Sequence, residues 1–571
     1  MDSPPHLSLL WPPGSSPQTN LGARLDPRAL ADLDLSETIR ALGGGDARRE
    51  RFARDVLSAP CAEPTVITYR ADALDDLLAD APLRAALRDL LPRLDSLTET
   101  YRPRSGESPL THLARRLSTL EMFVEVALDL RDALARATQR ADALEGIHAS
   151  LRDLTARPEF AALRAELPGL RQQLAGVRSI TIGVNLSPDL EPQTAALLAL
   201  HAEPIAGRST LLARLLGRQS GEGGLTPLRG SDLSPDNHLL RDLRGLLDRV
   251  VAPVERALER FATVSPALLT GLAPEFALLL GAADLTLRLQ EAGLPVCRPA
   301  LAPAEERTCA VREGYHLSLA LRLLARPDAP PGAARSLAPN DMTFPVVPND
   351  IVFDEGQGRV WVLTGPNRGG KTTYTRAVGL IHVLAGAGLP VPARSARLSP
   401  VDAVYTHFPS QESATPGRGR LDDEAAGLAA IFGRATPRSL ILLNEVLAGT
   451  STVEALGLAI DVVRGLRLLG ARAVYVTHLH ELAQRVDELN AETEGSALVG
   501  SLVAEAAPDP DGAPDDGDRA AHRRTFRVHP GPPRGSSYAS DIAAQHGISY
   551  PQLARLLRDR GILPPRTPSD R

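Results

Sequence analysis

The stretch VLTGPNRGGKTTYTRAVGL, residues 362–380, holds the only lysine of a 571-residue chain that carries 63 Lys+Arg. Every other basic residue is arginine, so Lys371 marks a place where arginine does not serve. GPNRGGKT, from Gly365 to Thr372, fits G-x-x-x-x-G-K-[ST], with an apolar run before it and a helical pattern after it. Glycines there let backbone N–H groups turn inward around a phosphate, and the N-terminus of the next helix adds the positive end of its dipole. A slim ammonium enters such a nest and reaches terminal phosphates, whereas a planar guanidinium needs more room and a different geometry. Thr372 then offers its hydroxyl to Mg²⁺.

Some 70 residues on, SLILLNEVLAGTST sets four apolar residues before two polar ones. A strand end of this kind presents a metal partner and a water-polarising carboxylate. Glu445 is the candidate to orient an attacking water, and Asn444 stands beside it on the metal side, where aspartate is usual. His478, at the end of AVYVTH, is placed to contact a γ-phosphate or its water.

The elements that must position these residues follow from periodicity. RVWVLTG, SLILLNE (439–445) and ARAVYVTH (471–478) read as buried strands alternating with helices, which predicts a parallel α/β sheet. Residues 26–175 instead repeat apolar positions every three or four residues, as amphipathic helices do. VRSITIGVNLSP (177–188) breaks that period as a short strand, and helices resume through EFALLLGAADLTLRLQEAGL. The segments expected are a Pro-rich start (1–25), a mainly helical region (26–294), a connector (295–344) and an α/β domain (345–571) ending in helix. Within the last, EAAPDPDGAPDDGD (505–518) reads as a disordered insertion.

Composition is that of an ordinary soluble protein, with 43% hydrophobic and 23% charged residues. A formal charge of −6 gives no global basic footprint, so a DNA surface would have to be a local patch. No secretory signal is visible at the N-terminus, and no uninterrupted apolar run approaches the ~18 residues that span a membrane. Cys61, Cys297 and Cys309 are too few and too scattered for a disulfide framework or a cysteine-rich zinc site. A cytoplasmic protein without a membrane partner is expected.

Taken together, VPND (347–350), TGPNRGGKTTYTRAVGL, NEVLAGTST, VTHLHEL and SYASDIAAQHGISYPQL resemble, in order, the ATPase of the MutS family of DNA mismatch-repair proteins. The family form of the loop is TGPN-x-GGK[ST]T, and Tyr374 and Arg376 also match its helix. The resemblance is strong over about 345–555 and weaker over 30–340. It implies an ABC-type P-loop NTPase fold behind a helical core and lever region. It further implies ATP and Mg²⁺ as cofactors and nucleotide contacts from Gly365, Pro366, Asn367, Gly369, Gly370, Lys371, Thr372 and Thr373. Thr372 and Asn444 would face the metal, with Glu445 and His478 catalytic. A homodimer with composite ATP sites is also implied, in which a loop ending in a helix supplies a serine across the interface. The matching stretch here, PGRGRLDDE (416–424), has Gly419 at the serine position and Arg420 after it.

Three departures mark a divergent branch whose ATPase is expected to be slow: Gly419, Asn444, and LAGT in place of Gly-Arg-Gly-Thr. The Phe-x-Glu wedge of mismatch-reading members has no counterpart, because FVE (123–125) lies mid-helix and reads as core packing. DLRG (242–245) likewise lies in a helical pattern and does not read as a nuclease site. The function implied is an ATP-switched dimeric clamp on branched or distorted DNA. The alternative is a nucleotide-gated module acting on a structured RNA, a ribosome or a protein complex.

Overall fold

The computed structural model describes residues 7–15, 23–101, 109–138, 140–175, 179–189, 192–201, 203, 254–261, 265–325, 346–409, 419–447, 451–492, 494–495, 497–508, 522–533 and 550–560. The chain divides into two compact units, one of Met1–Leu9 with Asp80–Phe276 and one of Leu10–Ala79 with Ala277–Arg571. This division differs from the composition-based segments, because the helices before Asp80 fall in the unit that holds the glycine loop.

Those helices are α1 (Pro27–Asp32), α2 (Ser36–Gly43), α3 (Ala47–Leu57) and α4 (Pro64–Ala79). The other unit contains α5 (Ala81–Tyr101), α6 (Pro109–Arg136), α7 (Asp142–Ala156) and α8 (Pro158–Ala175). In α6 the buried Leu113, Leu117, Leu120, Val124, Ala127, Leu130 and Leu134 recur at three- to four-residue spacing, which makes one apolar stripe. Phe123 is fully buried and meets Phe160 edge-on, 6.2 Å between ring centres. The FVE triplet is therefore core packing, with Glu125 paired to Arg93 at its surface.

After α8, β1 (Ser179–Leu186) pairs antiparallel with β2 (Pro192–His201). The sequence signals only the first of the two, because the Ala and Leu of β2 are good helix formers. DLRG and most of the helical pattern around it lie outside the described residues. Two helices follow, α9 (Ala267–Thr270) and α10 (Leu272–Glu291). By length and composition the stretch Ala267–Glu291 is able to cross a membrane, but 67% of its apolar window is buried inside the protein.

The rest of the chain builds two sheets. The smaller orders its strands β3 (Ala300–Leu301), β7 (Ser395–Leu398), β4 (Cys309–Gly314) and β5 (Asn349–Phe353). Helix α11 (Leu317–Leu324) follows β4. The larger sheet contains β6 (Val360–Thr364), β8 (Val404–His407), β9 (Leu440–Asn444), β10 (Arg472–Val476), β11 (Val499–Pro508) and β12 (His522–Pro530). Its order is β12-β11-β6-β10-β9-β8, parallel from β11 to β8, with β12 antiparallel at the edge. Strands β6, β9 and β10 are buried at every position, as strands covered on both faces must be. The parallel α/β core expected from the sequence is present. Strand β11 runs on through Glu505–Pro508, the first residues of the acidic stretch expected to be disordered. The remainder of that stretch lies outside the described residues.

Helices α12 (Lys371–Gly386), α13 (Arg420–Phe432) and α14 (Thr452–Leu469) pack on this sheet, with α15 (His480–Gln484) and α16 (Val486–Ala491) after β10. A last helix, α17, covers Tyr550–Asp559. Helix α12 explains why the first four helices belong to this unit. A Cβ on Gly379 would lie 2.4 Å from the Leu33 side chain, and one on Gly386 would lie 2.7 Å from Pro60. Arg376 Nε donates to Asp32 O at 2.8 Å, and Cys61 N to Gly386 O at 3.0 Å.

Candidate functional site

In parallel sheets ligands gather outside the carboxyl ends of the strands, and the sequence-selected residues sit there. Strand β6 ends at Thr364 and the chain turns at once through Gly365, with φ 135°. A Cβ there would lie 2.7 Å from Ala504 O and 2.8 Å from Ala504 Cβ on the neighbouring β11, so glycine is required twice over. Gly370, φ 91°, is the N-cap of α12. Between them Arg368 holds a left-handed φ of 58° without being glycine, a strain of about 1–3 kcal/mol of the kind that collects at functional sites.

Lys371 opens α12 and is 4% exposed. Its Nζ lies inside the loop, donating to Gly365 O at 2.9 Å and Pro366 O at 3.0 Å. Burial pushes its pKa down to about 8, opposed by the Glu445 carboxylate. The loop's far side is tied by Arg524, whose Nε donates to Asn367 O at 2.9 Å. Tyr374, one turn into α12, donates its hydroxyl to Asp350 O at 3.3 Å and fixes the helix against β5.

Strands β9 and β10 deliver the other half. Thr372 Oγ1 donates to Asn444 Oδ1 at 3.4 Å. Glu445 follows with a left-handed φ of 52°, which turns the chain out of the sheet plane. Its Oε1 is 2.9 Å from His478 Nε2. The His478 hydrogen bond is the main reason that the Glu445 carboxyl sits below the usual glutamate range; burial works against it, and the charges of His478 and Lys371 add to it. A carboxylate whose proton affinity is suppressed, held by an imidazole and facing an ammonium, is suited to orienting a polar nucleophile. The two neutral oxygens of Thr372 and Asn444 are hard donors, the kind Mg²⁺ takes beside phosphate oxygens. No cluster of three or more His, Cys, Asp or Glu residues able to hold a metal exists among the described residues.

The loop opens onto a cavity of about 310 Å³. It is lined by Asn367, Gly369, Gly370, Lys371, Thr372, Thr373 and Glu445 together with the apolar Leu319, Leu323, Val346, Val347 and Phe526, and Phe526 Cδ1 lies 3.5 Å from where a Cβ on Gly370 would sit. Its lining thus mixes polar and charged groups with apolar side chains and an aromatic ring. The sequence reading missed the apolar lining. Phe526 reaches it because β12 bulges against β11 between Ala504 and Ala506, and Phe526 sits in the bulge with φ 57°. Asn349 clamps the irregularity, its Nδ2 donating to Phe526 O at 3.1 Å and its Oδ1 accepting from Val528 N at 2.7 Å. Asn349 belongs to the VPND stretch, the one sequence signal that pointed here.

Gly419 does not line this cavity, and the Arg420 side chain lies outside what the structure describes. Gly419 is the exposed N-cap of α13, with nothing within 4 Å of the place a Cβ would occupy, so no steric demand for glycine exists.

Comparisons with known proteins point to one family. Residues 361–500 match the family described as MutS domain V, and residues 62–292 match the MutS2 N-terminal domain. The DNA mismatch repair protein MutS of Granulibacter bethesdensis is 33% identical over 258 residues, 43% of this chain and 26% of that protein. The DNA mismatch repair protein MutS of Symbiobacterium thermophilum is 40% identical over 139 residues, 24% of this chain and 16% of that protein. That of Chlorobium phaeobacteroides is 36% identical over 187 residues, 33% and 20% respectively. The chain spans about a quarter or less of the length of these relatives. With one MutS-type domain matched on each side of residue 300, and the second enclosing the glycine loop, Glu445 and His478, the chain belongs to the MutS family.

Proposed function

We propose that the protein is a P-loop ATPase of ABC type that uses ATP to switch a dimeric clamp on branched or distorted DNA. The observation that carries the ATPase reading is the seating of the solitary Lys371 inside a glycine loop, on the same cavity as Glu445, whose carboxylate is paired with His478. In this reading the triphosphate lies along Gly365–Thr373, and Lys371 exchanges its two carbonyl acceptors for phosphate oxygens. Phe526 stacks on the base. Glu445 orients the water that attacks the γ-phosphorus, and His478 holds Glu445 in place through Oε1. Thr372 and Asn444 would hold Mg²⁺, which neutralises charge on the phosphates when bound.

The exposed start of α13, with Gly419 and Arg420, is assigned to the cavity of a second copy. Gly419 there offers a backbone N–H where a serine hydroxyl is usual. DNA as the partner is supported by the naming of the relatives as DNA mismatch repair proteins. Affinity for DNA is expected to come from arginine–phosphate contacts and to fall steeply with salt.

The test measures ATP hydrolysis, together with affinity for a perfect duplex, a single mismatch and a four-way junction across a salt series, with and without nucleotide. ATP-responsive preference for the junction is expected. A tenfold preference for the mismatch over the duplex would refute the shape reading. Failure to bind any of the three at low salt would move the partner to a non-DNA macromolecule such as structured RNA, a ribosome or a protein complex.

A further inference from the structure

The turn that carries Glu445 is held at both ends, and one of the two holds comes from a different element. After β9 the chain runs through Glu445, Val446 and Leu447, of which Glu445 (φ 52°) and Leu447 (φ 65°) are left-handed without being glycine. Such a conformation persists only where the surroundings over-determine it. On one side Glu445 N donates to Val476 O of β10 at 2.9 Å. On the other, Leu447 N donates to Glu424 Oε2 at 2.6 Å, a buried contact spanning 23 residues of sequence. Val446 and Leu447 are themselves 5% and 3% exposed and packed in the core. The direction of the Glu445 side chain is therefore set by a short backbone segment pinned at 445 and at 447.

Glu424 is 7% exposed and belongs to α13, the helix whose N-cap is Gly419. That helix lies close on β8: a Cβ on Gly427 would fall 2.6 Å from the His407 ring, which leaves little room for the helix to turn about its axis. A push on its first turn therefore moves the Glu424 carboxylate rather than being absorbed locally. We infer that Glu424 is a positioning residue for Glu445, and that it passes to the hydrolytic site the state of whatever engages the N-terminus of α13. This rests on the reading of Glu445 as the water-orienting carboxylate. It adds to that reading a mechanical link from the outer end of one helix to the reacting centre.

The test compares Glu424→Met, similar in length but without an acceptor, with Glu424→Gln, whose amide oxygen still accepts from Leu447 N. Three readouts are taken on the full chain: ATP turnover, affinity for a fluorescent ATP analogue, and hydrogen–deuterium exchange of peptides covering 440–447. The methionine variant is expected to lose ten- to a hundredfold in kcat, with affinity within threefold of wild type and faster exchange at 444–447. The glutamine variant is expected to keep at least a third of the turnover and the wild-type exchange. Wild-type kcat in Glu424→Met, or affinity falling in step with kcat in both variants, would overturn the role of Glu424 while leaving the ATPase reading intact. Absence of ATP binding and turnover in the wild type would overturn both.

Discussion

Replacing Lys371 by methionine should stabilise the nucleotide-free protein while abolishing ATP binding. Lys371 is 4% exposed, and burial brings its pKa from 10.5 down to about 8. A tenfold loss of proton affinity corresponds to about 1.4 kcal/mol, so holding the ammonium in the folded loop costs about 3 kcal/mol at pH 7 relative to the unfolded chain. The Glu445 carboxylate offsets burial only in part. The folded pKa lies below the unfolded one, so between pH 8 and 10.5 the unfolded chain binds more protons and stability rises with pH. The cost is present in full below pH 8 and fades towards pH 10.5. At roughly 1–2 °C per kcal/mol for a protein of this size, the methionine variant should melt about 3–6 °C above wild type at pH 7, with the gap narrowing at pH 10. Thermal melts of both proteins without nucleotide at the two pH values measure this, and a fluorescent ATP analogue checks the loss of binding. Equal or lower melting of the variant at pH 7, or a gap that does not narrow at pH 10, would refute the claim that the lysine is held at a cost for its ligand.

Glu445→Gln should cut turnover at least a hundredfold with analogue binding retained, whereas His478→Ala should move the acid limb of the pH–rate profile upward. The His478 hydrogen bond is the main cause of the lowered Glu445 pKa, so an unmoved limb would remove His478 from that role. Asn444→Asp should tighten the Mg²⁺ dependence of ATP binding about tenfold, since charge-assisted contacts are roughly twice as strong as neutral ones; a Mg²⁺ titration that does not shift would remove Asn444 from the metal side. Phe526→Ala should weaken ATP about tenfold or more, the worth of one base–aromatic stack, and leave inorganic tripolyphosphate unaffected. Equal losses for both ligands in competition binding would place Phe526 outside the base pocket.

What was legible in the sequence was whatever is local. The glycine loop is eight residues whose spacing is itself the structure, because Gly365 and Gly370 take backbone angles few other residues adopt and Lys371 follows at once. Strands β6, β9 and β10 were legible because burial on both faces leaves an unbroken apolar run. What escaped depends on register and on long-range packing. Phe526 enters the cavity only because β12 bulges opposite Ala504–Ala506, and bulges depend on the partner strand. Strand β11 extends into a Pro- and Asp-rich stretch whose composition hides a strand end. The role of residues 27–79 was hidden because their packing against α12 shows only in contacts such as Gly379 on Leu33.

The same contrast explains why an arginine-rich chain keeps one lysine. Two buried arginines here serve as staples for carbonyls. Arg472 donates to Thr308 O and Ser399 O through one terminal nitrogen and to Pro400 O and Arg438 O through the other. Arg467 reaches Ala497 O and Gly495 O in the same manner. A guanidinium suits that work, because its fixed fork meets several acceptors at once and holds them. Lys371 also meets two carbonyls, but with a single rotatable ammonium that burial has already brought to a pKa of about 8. An ammonium so held releases its carbonyls for a better anion with little reorganisation, whereas a forked guanidinium in the same place would keep the loop closed. The staples and the lysine therefore differ in what each must give up: a staple must hold, and a residue that receives a ligand must be able to let go.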